Sequence, residues 1–146
     1  MTGPIVTVGG KKIKLAEGTC KTNNICYLAQ CSICEKSYTG RTVDPLQKRI
    51  NGHRQGNYYR EILKKIDDDN NEIDCDLWMP GLHLHLDHGL TDADAFDQSI
   101  KFGILDVVNP TEIEKKEYLW MHRLNTFQPV GINIEYPFGI PFLGQN

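Results

Sequence analysis

The stretch that most constrains the fold is a tight CxxC turn between two strand-like segments. Residues 25–30 are apolar and aromatic enough for a buried strand, and residues 36–39 suit a second strand, which Gly40 ends. Cys31 and Cys34 lie between them at the spacing of a metal-binding knuckle. We therefore expect a β-hairpin whose tip carries two thiols.

A basic helix is predicted directly after this hairpin. Asp44 can cap it, and Pro45 falls in the first turn, where proline is best tolerated. The apolar periodicity continues to about Gln55. Arg49 and His53 are four residues apart, so they project from one face, where a solvated basic surface is the ordinary alternative.

The remaining patterns predict a compact α/β chain. They indicate a helix over 58–66, an acidic loop over 67–74, an imidazole-rich helix or turn over 82–88, an acidic loop over 89–97, a strand over 99–108 and a long helix from Asn109 to near Thr126. Together these elements predict an α/β fold. Residues 1–23 would form a polar arm, in which 11–15 suit a short strand, and 24–146 the main domain.

Charge and hydropathy narrow the class of protein. The 146 residues carry a net charge of −3, which is not typical of a general nucleic-acid binder. Basic residues nevertheless crowd the segment after the hairpin, and Arg41, Lys48 and Arg54 are candidates for contacts with DNA phosphates. No apolar run approaches the roughly 20 residues that span a bilayer, and the start does not have a secretory signal pattern, so no membrane partner is expected.

The cysteines favour metal binding over a disulfide framework. Their number, five, is odd, and two of them form the CxxC pair. His83, His85 and His88 offer imidazole ligands further along the chain. Zinc favours four protein ligands in tetrahedral geometry, so two of these histidines could complete a site with Cys31 and Cys34. Free buried thiols and capping histidines are the structural alternative.

Other side chains have the chemistry of a hydrolytic site. Tyr27 and Tyr38 fall on adjacent predicted strands, where two phenols can converge. Glu117 lies on the long helix, and a single carboxylate is a common anchor for Mg²⁺. Asn133 could brace such a site through its amide. Each has an ordinary structural interpretation, and Glu112 and Glu114 compete with Glu117 for the metal.

In their order along the chain these residues resemble the GIY-YIG nuclease core, and most closely the endonuclease domain of Penelope-like retroelements. The similarity extends from about residue 24 to residue 133. It rests on Ile25-Cys26-Tyr27, Tyr38-Thr39-Gly40-Arg41, Leu46, Arg49, His53, Glu117 and Pro129-Val130-Gly131-Ile132-Asn133. Ile25-Cys26 replaces Gly-Ile in the first motif, although the tyrosine is kept.

The resemblance implies a small three-stranded, mainly antiparallel sheet flanked by helices, with a zinc knuckle. It also implies hydrolysis of DNA phosphodiester bonds with Mg²⁺ or Mn²⁺. Tyr27 would activate water, Arg49 would stabilise the transition state and Glu117 would bind the catalytic cation. Tyr38 and His53 would position water and phosphate. The implied role is nicking of target DNA for retroelement integration, in the nucleus, with a reverse transcriptase as a partner in a larger polyprotein.

The resemblance also implies a structural zinc bound by Cys31, Cys34, His83 and His88, with His85 as the alternative to His83. Two other classes remain open from the sequence. One is a catalytically inactive, zinc-stapled nucleic-acid-binding module. The other is a protein-interaction domain, suggested by the acidic loops and by the Phe- and Pro-rich tail.

Overall fold

The protein is described here from a computed structural model, which covers residues 5–55, 79–90 and 92–133. The strands are β1 (Ile5–Val8), β2 (Lys11–Lys14), β3 (Ile25–Cys31), β4 (Ser37–Thr42) and β5 (Ile100–Val107). The helices are α1 (Leu46–Gln55), α2 (Met79–His88), α3 (Ala93–Ser99) and α4 (Ile113–Leu124), the last preceded by a 3₁₀ turn at Pro110–Glu112. The helix predicted over 58–66, the acidic loop over 67–74 and the tail from 136 lie outside the described residues.

The central sheet has three strands in the order β4-β3-β5, and both pairings are antiparallel. This confirms the predicted α/β class with a small antiparallel sheet and helices. A separate two-stranded sheet is formed by β1 and β2 within the predicted N-terminal arm. Val8 and Ile13 of that hairpin are buried against the main body.

Strand β3 is buried on both sides and divides the core into two clusters. Its residues Ile25, Tyr27, Ala29 and Cys31 pack with α1, α2 and α3, on what we call the α1 face. Cys26 and Leu28 point the other way and pack with α4 and the β1–β2 hairpin, on the α4 face. This division follows from the two-residue period of a strand.

Three predicted details of the chain were wrong. Gly40 does not end the second strand but lies inside β4, opposite Tyr27. The segment 89–97 is not a continuous acidic loop, because the Asp92 side chain accepts the Ala95 N–H and starts helix α3. Asn109 caps the 3₁₀ turn rather than the α-helix itself.

Among the described residues, no helix has the length and apolar character needed to cross a bilayer.

Candidate functional site

Two tyrosines and a histidine meet beneath α1. Tyr27, Tyr38 and His53 are all fully buried, and their ring centroids lie 5.3–6.3 Å apart. The Tyr27 hydroxyl is hydrogen-bonded to Nε2 of His53. Arg49 Nε, one helical turn before His53, donates to the same hydroxyl at 3.3 Å. The structure thus brings together four residues that the sequence placed on two strands and one helix.

Gly40 makes room for this cluster. It pairs with Tyr27 across the hairpin, and the Tyr27 ring lies directly over it. A Cβ at Gly40 would be 2.4 Å from both Cζ and the hydroxyl of Tyr27 and 2.8 Å from Cε1 of Tyr38. The glycine of the second motif is therefore required for close packing, and it lets the phenol reach across edge strand β4.

Gly40→Ala should lower the free energy of unfolding by about 1–3 kcal/mol, as inserted core methyl groups commonly do. Neither ring can retreat easily, because Tyr27 and Tyr38 are fully buried. Chemical denaturation would measure the change. Gly103→Ala is the matched control, since its nearest atoms belong to the flexible Leu15 side chain. A Gly40→Ala variant as stable as wild type would contradict the packing described here.

The candidate metal carboxylate lies on the α4 face, on the other side of β3 from the Tyr27, Tyr38 and His53 rings. Glu117 is only 3% exposed, and Arg41 Nη1 donates to its Oε1 at 2.6 Å. Arg41 Nη2 also lies 3.5 Å from Oε1 of Glu114, whose side chain is 61% exposed. Of these two glutamates, Glu117 is the one held in a fixed, buried position. The arginine predicted to contact DNA is thus engaged by two carboxylates in this conformation.

A buried thiol borders the same carboxylate. Burial raises the pKa of Cys26 to about 12, and the negative charges of Glu117 and Asp106 add to this effect. Cys26 is therefore a neutral thiol near pH 7. Its sulfur faces the carbonyl of Ile113 at 3.9 Å. Cys26, one of the two residues that depart from the first motif, thus packs beneath the start of α4.

Asn133 braces strand β4 rather than lying at the surface of a turn. It is fully buried, its Oδ1 accepts the Thr39 N–H at 2.8 Å, and its Nδ2 donates to the Thr39 carbonyl at 2.9 Å. The Thr126 hydroxyl donates to the Thr39 hydroxyl at 3.1 Å. These bonds fix the backbone between Tyr38 and Gly40.

The other two candidate DNA-binding residues also have acidic neighbours. Lys48 Nζ lies 3.7 Å from Asp44, and both side chains are exposed. Arg54 contacts Asp97 at 2.9 Å and lies over the ring of Phe96, 5.9 Å from its centroid. Exposed ion pairs of this kind are weak, so phosphate groups could compete for both cations.

A second candidate site lies at the tip of the hairpin. Cys31, Cys34, His83 and His88 offer ligand atoms that all lie within 4.8 Å of one another. The Cys31 sulfur is 3.6 Å from Nε2 of His88, and the Cys34 sulfur is 3.3 Å from Nε2 of His83. Bond lengths to zinc of about 2.3 Å for sulfur and about 2.0 Å for nitrogen give tetrahedral edges of roughly 3.3–3.8 Å. The cluster can therefore hold a metal ion such as zinc.

Backbone N–H groups of the turn partly oppose the effect of burial on the pKa of Cys31. Burial raises the pKa of the Cys31 thiol, whereas hydrogen bonds from the backbone N–H groups of Cys34 and Ile33 act in the opposite direction. Such N–H groups stabilise a thiolate, which is the form that binds metal. Glu35 takes a left-handed conformation with φ of 65°, and its N–H closes the turn onto the Cys31 carbonyl.

His83 is oriented by a partner on its own helix. Its Nδ1 lies 2.8 Å from Oδ2 of Asp87, four residues on, while Nε2 points to Cys34. Burial lowers the pKa of His83, and the Asp87 carboxylate opposes this shift. Sequence reasoning did not single out Asp87, although an acidic residue one turn after a candidate ligand was the available signal.

Comparison of the chain with protein-family models, with curated proteins and with solved structures finds no match in any of the three.

Proposed function

We propose that this chain is a divalent-metal-dependent DNA endonuclease of the GIY-YIG type, related to the endonucleases of Penelope-like retroelements. The observation that carries the proposal is the convergence of Arg49 and His53 on the Tyr27 hydroxyl. A phenol is a poor base at its ordinary pKa of about 10. A guanidinium and an imidazole that contact the same oxygen can make the phenol an effective base near neutral pH.

In the proposed reaction, a proton is relayed from the attacking water through the Tyr27 hydroxyl to His53 as the water attacks phosphorus. When His53 carries its proton on Nδ1, Nε2 accepts from the Tyr27 hydroxyl. The phenol oxygen can then take a proton from the attacking water while it passes its own to His53. The bond from phosphorus to the leaving oxygen breaks on the opposite side, and that oxygen takes up a proton from solvent. Arg49 stabilises negative charge on the phenol oxygen and on the phosphate.

Glu117 is the residue that would hold the catalytic cation, Mg²⁺ or Mn²⁺. The carboxylate fits this role because it is fixed, buried and already stabilises one positive charge, the Arg41 guanidinium. One carboxylate, with waters and substrate phosphate, is a common binding set for Mg²⁺. When bound, such a cation neutralises charge at the scissile phosphate. Arg41 would turn from Glu117 to the DNA backbone, the partner predicted for it.

A zinc-stapled module that binds nucleic acid without cutting it is the second candidate. The full burial of Tyr27, Tyr38 and His53 favours it, because water must reach the Tyr27 oxygen for the proposed reaction. The same buried rings would serve a purely structural core. Nicking of supercoiled plasmid with Mg²⁺ or Mn²⁺, set against EDTA, separates the two functions. DNA binding without metal-dependent nicking would reject the endonuclease.

Tyr27→Phe should reduce the nicking rate by about 10²–10⁴-fold, the usual contribution of a general base. Affinity for DNA should change far less, because the hydroxyl acts mainly in the transition state. Single-turnover kinetics with binding measured in Ca²⁺ would report the two quantities separately. Tyr118→Phe, on the α4 helix, is the control substitution. Nicking by Tyr27→Phe at the wild-type rate would exclude the proton relay.

A further inference from the structure

Both ring nitrogens of His83 have defined partners. Nε2 is directed at the Cys34 sulfur within the ligand cluster, and Nδ1 at the Asp87 carboxylate. The His83 side chain is 4% exposed, so water cannot readily replace either partner. Asp87, with 47% of its side chain exposed, reaches the ring from the outer side of the same helix.

We infer that Asp87 is a positioning residue of the metal centre. Its carboxylate accepts the Nδ1–H of His83 and so fixes the tautomer whose Nε2 lone pair faces Cys34. Metal-binding histidines commonly donate their second N–H to a carboxylate, which sets the ring orientation and makes the ligand nitrogen more basic. Here the i,i+4 spacing on α2 supplies this partner without any distant segment.

The exposure of Asp87 limits the size of the effect. A partly solvated carboxylate is screened, so the charge of Asp87 should contribute less to zinc affinity than its hydrogen bond to His83 does. Asp87→Ala removes both the acceptor and the charge, whereas Asp87→Asn keeps an amide oxygen that can accept the same N–H. The affinity for zinc should therefore fall in the order wild type, Asp87→Asn, Asp87→Ala.

The test is zinc affinity, measured by competition with a chromogenic chelator. Asp87→Ala should bind zinc about 10–100-fold more weakly than wild type, the usual cost of losing such a partner. Asp94→Ala, which removes an exposed acidic residue from the first turn of α3, is the matched control and should bind as wild type does. Equal affinity in Asp87→Ala and wild type would overturn the inference.

Two further measurements separate positioning from a general effect on helix α2. The thermal stability of the metal-free protein should be the same in Asp87→Ala and wild type, whereas that of the zinc form should fall. An equal loss in both forms would overturn the inference. With Co²⁺ as the probe, Asp87→Ala should keep the thiolate-to-metal absorption of a two-sulfur site. These experiments use no DNA, so a failure of this inference can be distinguished from a failure of the endonuclease proposal.

Discussion

Glu117→Gln is expected to abolish metal-dependent nicking, with a loss of at least about a hundredfold, because a neutral amide is a poor ligand for a hard divalent cation. The substitution preserves shape at a buried position, and Arg41 keeps an oxygen to which it can donate. The fold should therefore survive. Mn²⁺ binding, followed by its electron paramagnetic resonance signal, should weaken in parallel with the nicking rate.

Glu114→Gln is the matched control, because it contacts the same guanidinium from a position 61% exposed. We expect it to nick DNA at close to the wild-type rate. Loss of activity in Glu114→Gln together with retention in Glu117→Gln would show that the wrong carboxylate has been assigned. Circular dichroism of both variants would establish that neither result comes from unfolding.

The hairpin and its helix could be predicted from sequence because their signals are local. Residues 25–29 are apolar without interruption, the CxxC pair marks the turn, and Pro45 marks the start of α1. Helix periodicity then places Arg49 and His53 on one face. The register of the β3–β4 pair and the helix that follows β4 are enough to place that face against Tyr27.

The other contacts of the candidate site could not be predicted, because they depend on packing between distant segments. Asn133 reaches Thr39, 94 residues earlier, and Arg41 reaches Glu117, 76 residues later. The role of Gly40 could not be inferred from its neighbours in the sequence either. Glycine weakens the interior of a strand, which suggested a strand end, whereas here the bulky Tyr27 ring on the neighbouring strand excludes any side chain. Helix α3 was missed because its three aspartates suggested a loop, although one of them, Asp92, is its cap.

The four candidate metal ligands are connected to the tyrosine cluster through the core. Cys31 is the last residue of β3, the strand that carries Tyr27, and the two side chains share the α1 face. On α2, Leu84 is fully buried beside His83 and belongs to the same cluster as Tyr27 and Tyr38. A metal bound to α2 would thus hold that helix against the sheet, close to the helix that supplies Arg49.

Removal of zinc, or the Cys34→Ser substitution, is expected to lower the free energy of unfolding more than Gly40→Ala does. The Cys34–His83 link closes a loop across 49 residues. In the chain-entropy model a cross-link of that span is worth about 4 kcal/mol. The free energy of unfolding of a small domain is only roughly 5–15 kcal/mol, so the protein would lose much of its stability.

We therefore expect one zinc per chain by elemental analysis of protein purified without chelator. Cys34→Ser and chelator-treated wild type should both unfold at a clearly lower temperature, because metal binding supplies free energy of folding. Cys20→Ser is the matched control, since it replaces another exposed thiol outside the cluster and should melt as wild type does. A zinc bound by these four side chains would have no open position and would be structural, so activity should fall only as the fold loosens. Purified protein without zinc, or a Cys34→Ser variant that melts at the wild-type temperature, would refute this assignment.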